Sequence, residues 1–152
     1  MAFVVVRVRG TIHARRDIVE TLRFLHLTRA NHATVVPEAP PVRGMLFKVQ
    51  GYVTWGEAEP ETLGLLLKER GRGPDGHPLS GGGEGVGAET VDLAALSRAV
   101  ADGGLSGVKG VRPLFRLKAP KGGWRSTKRP YTLGGALGYR GRAINDLVRR
   151  MV

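Results

Sequence analysis

The amino-acid sequence predicts an α/β (α+β) chain in three segments: a small β-α-β-α-β unit at 1–57, an acidic helical middle segment at 58–104 with a Gly-rich loop, and a basic extension at 105–152 that closes on a helix. Three observations lead there. β-branched runs alternate with apolar residues at helical spacing through the first segment. The sign of the charge reverses twice along the chain. The final residues return to the i, i+3, i+4, i+7 spacing of an amphipathic helix.

The first element is Phe3-Val-Val-Val-Arg-Val-Arg9, whose β-branched side chains suit a buried strand that ends at Gly10. Asp17 and Glu20 have the spacing of a capping box, and Ile18, Leu22 and Leu25 share one helical face, so a helix is expected from about Ala14 to His26. Ala30 to Val36 reads as a second strand stopped by Pro37. Beyond Pro40-Pro41, the residues Val42, Met45, Leu46 and Val49 make a short amphipathic helix opened by proline, and Tyr52 to Trp55 supplies a third strand. Strands joined by helices imply crossovers, so parallel pairs are expected in this unit, with its helices on one face of the sheet.

Pro60 opens a further helix that runs through Leu63, Leu66 and Leu67 to about Arg70. Gly71 to Ala88 then holds eight Gly and two Pro with few apolar anchors, the composition of a mobile loop. Leu93, Leu96 and Val100 mark a helix that ends before Gly103-Gly104, and Leu114 to Leu117 a short strand. In the closing helix, Ala143 to Met151, the residues Ile144, Leu147, Val148 and Met151 form the inner stripe and leave Asp146, Arg149 and Arg150 outside it.

Charge narrows the function. The chain carries 24 Lys and Arg against 13 Asp and Glu, a net charge of +11, which favours a polyanionic partner. The first segment has eight basic and four acidic residues, the middle one four and eight, and the last twelve basic residues with Asp146 alone. A solvated face normally mixes both signs, whereas twelve cations repel one another unless a partner brings the missing negative charge. The absence of cysteine removes thiolate nucleophiles, disulfides and Cys-based metal sites. No apolar run approaches the ~20 residues of a membrane-spanning helix, and the first residues lack the pattern of a signal peptide. A cytoplasmic protein with no membrane contact and no cofactor is therefore expected.

The most informative stretch is Lys118-Ala-Pro-Lys-Gly-Gly-Trp-Arg-Ser-Thr-Lys-Arg-Pro130, followed by Tyr131-Thr-Leu-Gly-Gly-Ala-Leu-Gly-Tyr-Arg-Gly-Arg142. Glycine lets the main chain approach a phosphate, lysine and arginine neutralise backbone charge, and Trp124, Tyr131 and Tyr139 offer rings to an unpaired base. Candidate RNA-binding residues here are Lys118, Lys121, Gly122, Gly123, Trp124, Arg125, Lys128, Arg129, Arg140 and Arg142. A segment so basic and rich in glycine is expected to be partly disordered until RNA orders it. Arg43 and Lys48 on the short proline-opened helix join the candidates, since a helix start and a cation act together on a phosphate.

Apparent enzyme signals fail on context. Gly71-Arg-Gly-Pro-Asp-Gly76 spells G-x-G-x-x-G, but it follows a helix, contains Pro74 and opens no helix, unlike a dinucleotide site. His13, His26, His32 and His77 show no metal-ligand spacing, the sequence nominates no nucleophile or metal for a catalytic base to serve, and carboxylates are too few in the two basic segments to offer a good acid and base pair. A non-enzymatic RNA-binding protein is expected. The alternatives are a free regulatory RNA- or DNA-binding module and a small-molecule-binding α/β domain.

Asn31-His-Ala-Thr-Val-Val-Pro-Glu-Ala-Pro-Pro-Val-Arg-Gly-Met45 resembles the strand, turn and Arg-Gly-Met helix of the ribosomal protein L-thirty family, called the seventh large-subunit protein in eukaryotic naming. Leu117-Lys-Ala-Pro-Lys-Gly-Gly123, Gly134-Gly-Ala-Leu-Gly138 and Ile144-Asn-Asp-Leu-Val-Arg-Arg-Met151 resemble the extension found in its archaeal and eukaryotic long form. Val42 stands where an aromatic often precedes Arg-Gly-Met, and the middle segment matches only in general character. The resemblance implies a ferredoxin-like N-terminal unit and a structural role in the large ribosomal subunit. It also implies contact with the large-subunit rRNA near the docking region of 5S rRNA, with neighbouring ribosomal proteins as further partners.

Overall fold

Alternation along the first strand decides the architecture. All of β1 (Ala2–Arg7) is buried. Ala2, Val4 and Val6 enter one core, while Phe3 and Val5 enter another. A strand that is apolar on both faces belongs in the middle of a sheet covered on both sides, and β1 lies there. The structure is a computed structural model that describes residues 2–10, 12–73, 76, 98–102, 104 and 111–152.

The remaining elements are α1 (Arg16–Phe24), β2 (His32–Pro37), α2 (Pro40–Lys48), β3 (Val53–Glu57), α3 (Pro60–Arg70), β4 (Phe115–Arg116), β5 (Ser126–Pro130), a 3-10 turn (Tyr131–Leu133), β6 (Gly135–Tyr139) and α4 (Ala143–Met151). Residues 98–102 are also helical. Apart from residues 71–73 and 76, the loop expected between Gly71 and Ala88 lies outside the described residues, as do Leu93 and Leu96 of the helix expected after it. One six-stranded sheet runs in the order β4-β2-β1-β3-β6-β5. α1 and α2 send Leu22, Leu25, Leu46 and Val49 onto one face, against Phe3, Val5 and Trp55. α3 and α4 send Leu63, Leu66, Leu67, Ile144, Leu147, Val148 and Met151 onto the other.

The ferredoxin-like β-α-β-α-β order holds, but its strand directions differ from those expected. β1 is antiparallel to both β2 and β3. β2 begins where β1 ends, with Asn31 N–H donating to Arg7 C=O at 2.8 Å, so residues 8–31 form an excursion that returns to the same end. The true crossover is β2-α2-β3. β1 fills the gap between its two strands, and the parallel relation never becomes a hydrogen-bonded pair. Parallel pairing appears instead where β6 joins β3 and where β5 joins β6.

α1 lacks the expected capping box. It starts at Arg16, one residue before Asp17, and no side chain caps it. Asp17 sits in the first turn, where an acid still complements the helix dipole, and its carboxylate meets Arg15 at 3.1 Å and Lys48 at 3.8 Å. Glu20 pairs with Arg16 instead of reaching back to the cap.

Two features fix α4 against the sheet. A side chain at Gly56 would collide with the carbonyl of Gly141 and with Ile144, so only glycine lets the start of α4 approach β3 this closely. Asn145, 2 % exposed, then bridges the elements. Its Oδ1 accepts from Glu59 N–H at 3.0 Å, and its Nδ2 donates to Glu57 C=O at 3.1 Å and to Arg142 C=O at 2.9 Å. Replacing Asn145 with Leu should lower unfolding stability by about 2 kcal/mol or more, because backbone groups at the end of β3 lose their partners. Urea denaturation followed by circular dichroism checks this, and an unchanged midpoint would refute it.

Candidate nucleic-acid interface

The last turn of a helix leaves carbonyls without partners inside the helix. In α4 two of them are met by the loop that precedes β5. Lys118 N–H donates to Met151 C=O at 3.0 Å and Lys121 N–H to Arg150 C=O at 3.1 Å, which clamps this loop across the helix end. Gly122 and Gly123 then turn the chain with φ of 83° and 73°, in the left-handed region that glycine enters without steric cost. The basic loop is thereby anchored at its base and open at its tip. The segment expected to be partly disordered is built into the sheet and against α4.

Lys118, Lys121, Gly122, Gly123, Arg125, Lys128, Arg129 and Arg142 are exposed. Among the described residues, none of the six cationic side chains in that group makes an ion pair. Lys128 and Arg129 lie on β5, the outermost strand on that side of the sheet. Trp124 is different: half-buried, it packs against the core under α4 and against the small cluster of Val8, Ala136 and Leu137. It forms a wall rather than a free stacking platform.

Arg140 is held by protein. Its Nε donates to Thr54 Oγ1 and its Nη2 to Ala136 C=O, both at 2.7 Å, and its guanidinium lies 4.9 Å from the centre of the Tyr131 ring. Burial pushes its pKa down to about 10, with repulsion from Arg150 and Arg125 adding and Tyr131 opposing. It remains a cation at neutral pH, with its plane fixed. Trp124, Arg125, Tyr131, Arg140, Asp146 and Arg150 surround a cleft of about 270 Å³ between the extension and α4. Arg43 and Lys48 lie elsewhere, on α2, and both face carboxylates: Arg43 pairs with Glu38, and Lys48 approaches Asp17.

Sequence reasoning did not nominate Arg150 or Asp146 for this site, because helical spacing places them only on an outward face and says nothing of what stands opposite. Tyr139, offered as a stacking ring, donates its hydroxyl to Glu57 at 2.8 Å, and that hydrogen bond raises its pKa. A second cationic patch also escaped notice. β4 pairs His32 with Arg116, and Arg7, Arg29 and Arg116 converge on His32 from three parts of the chain. Asn31 Oδ1 and His32 Nδ1 are buried there without a hydrogen-bond partner among the described residues.

The family described as Ribosomal protein L30p/L7e matches residues 3–53, the segment that forms β1 to the start of β3. Beyond that segment, the protein named "Large ribosomal subunit protein uL30" from Methanopyrus kandleri is 43 % identical over 148 residues, covering 95 % of this chain and 99 % of its own length. The chain belongs to this family. Proteins of the same name from Methanosphaera stadtmanae and Methanococcus vannielii are 38 % and 42 % identical, the first covering 99 % of each chain and the second all of both. The family's long form thus includes the basic extension and α4, not the N-terminal unit alone.

Burial, then Arg116, Arg29 and Arg7, hold the His32 pKa below its ordinary 6.5. A group whose folded pKa lies below its unfolded value takes up protons more readily when unfolded, so stability falls as pH drops from about 6.5 toward the folded pKa. NMR titration of the His32 ring should give a midpoint below 6.5, and Arg116→Ala should raise it. A midpoint at or above 6.5 in the unmodified protein would contradict the assigned surroundings.

Proposed function

We infer that this member of the Ribosomal protein L30p/L7e family is a structural constituent of the large ribosomal subunit that binds its rRNA, with no enzymatic role. The observation that carries the reading is the row of exposed cations on an anchored frame: among the described residues, Lys118, Lys121, Arg125, Lys128, Arg129 and Arg142 make no ion pair, whereas Arg43, Lys48 and Arg149 do. Such a surface is complete only against a polyanion. The relatives aligned along the whole chain are all named as large-subunit proteins.

The sheet and its two helical layers act as a rigid support. The loop at 118–123, β5 and the rim of the cleft follow the RNA backbone and read shape more than sequence. Gly122 and Gly123 leave the main chain bare where a phosphate comes closest. Arg43 exchanges Glu38 for phosphate or holds it as a neighbour, and Lys48 adds charge on the same helix. The docking region of 5S rRNA is the location that the family resemblance implies. Phe24 and Phe47, exposed on the α1–α2 side, offer apolar contacts to neighbouring ribosomal proteins.

If about six cations each neutralise one phosphate, affinity for a large-subunit rRNA fragment should fall roughly a thousandfold between 50 and 200 mM salt. Replacing Lys121, Arg125, Lys128 and Arg129 together with Ala should flatten that dependence by about four contacts' worth of slope. Circular dichroism should show the fold retained. A flat titration of the unmodified protein would remove the mechanism, and an unfolded variant would assign those side chains to packing. In a cell-extract gradient, one copy per large subunit that survives a high-salt wash is the expected result. Substoichiometric or salt-stripped protein would instead indicate a transient factor.

A further inference from the structure

The charge pattern leaves one side chain unexplained. Asp146 is the sole acid of residues 105–152, and it lines the cleft whose other charged walls are Arg125, Arg140 and Arg150. A carboxylate on a surface that meets phosphate is repulsive unless it accepts hydrogen bonds from the ligand. Asp146 has the freedom to do so. Its side chain is 81 % exposed, and Arg149 Nη1 stands 3.6 Å away, too far for a hydrogen bond, while Nη2 of the same guanidinium faces Glu59 and Glu61.

Resting on the reading that this surface binds RNA, we propose that the cleft receives one extruded guanine nucleotide, with Asp146 accepting from the N1–H and N2–H donors of its base. Guanine is the one RNA base whose Watson–Crick edge offers two adjacent donors. Adenine and cytosine set an amino group beside an acceptor nitrogen, and uracil flanks its single N–H with two carbonyls. A carboxylate, which only accepts, therefore matches guanine and opposes the others. Arg125 and Arg150 are placed for the phosphate. The Trp124 wall and the fixed plane of Arg140 against Tyr131 shape the space for a base. At about 270 Å³ the cleft sits just below the ~300–1,000 Å³ of ordinary small-molecule sites, room for one nucleotide and not for a strand.

Asp146 also stands in the first turn of α4, where an acid stabilises the helix end. That role bears on folding and not on the choice of base, so the test reads the choice of base. The full chain, labelled with ¹⁵N, is titrated at low salt with 5′-GMP, 5′-IMP and 5′-AMP. GMP should shift the amides of residues 123–125, 140 and 146–150 saturably and bind about tenfold more tightly than AMP. IMP, which lacks the N2 amino group, should lie between them. Asp146→Asn should erase this order while the fold persists by circular dichroism, and Asp146→Glu should keep part of it. Equal binding of GMP and AMP, an order unchanged in Asp146→Asn, or no saturable shift would each overturn the proposal.

With an rRNA fragment, Asp146→Asn should bind about tenfold more weakly at an unchanged salt slope. Tighter binding would show the carboxylate to be merely repulsive and would overturn the guanine reading while RNA binding stands. Failure of the unmodified protein to bind that RNA would instead overturn the proposed function, and the nucleotide titration would still report on the cleft.

Discussion

The buried amide of Asn145 is the constraint on which the rest of the molecule hangs. Backbone groups at the end of β3 lie partly buried against α4, and they need partners of matching geometry. One amide serves Glu57 and Glu59 at once and also holds its own helix start through Arg142. With Gly56 allowing close approach, this sets the height and rotation of α4 over the sheet. Everything the extension presents follows from that placement. The outward row of Asp146, Arg149 and Arg150, the clamped loop and the cleft between them all take their positions from a helix fixed at its first turn.

Charges are sorted by element as well as by sequence. Arg149 reaches back to Glu59 and Glu61 at the start of α3, so part of the acidic middle segment neutralises part of the basic extension. Arg140 is absorbed into the frame through Thr54, which in turn donates to Gly138 C=O at 2.8 Å and ties β3 to β6. Arg7 is buried, donating to the carbonyls of Arg9 and Leu27. Among the described residues, the cations left without an ion pair include those of the loop and β5. Net charge alone therefore overstates how many cations stand unpaired among the described residues.

Much of the fold was legible in the residues. The apolar run of β1 announced a buried strand, and Pro60 and the stripe of Ile144, Leu147, Val148 and Met151 located α3 and α4. Direction was not legible, because periodicity reports which elements exist and not which way a neighbour runs. β5 and β6 were missed for a related reason. Gly135-Ala-Leu-Gly-Tyr139 has little intrinsic strand preference, and it becomes a strand because β3 offers an open edge and because a side chain at Gly135 would strike Arg129. At the candidate site, composition marked the basic stretch but could not separate Arg125, which makes no ion pair among the described residues, from Arg140, which is held by Thr54 and Ala136, nor bring Arg116 and Arg29 to His32. Those distinctions depend on contacts between residues far apart in the chain.

The parallel pairing of Thr54 with Gly138 and Trp55 with Tyr139 joins residues separated by more than half of the sequence. Until β6 pairs with it, β3 is an edge strand with unpaired outer backbone groups, the kind of edge on which other chains add and aggregate. Contacts so distant along the chain form late, since loop closure precedes any gain from them. Within the sheet, β6 thus closes an edge that the first three strands alone leave open.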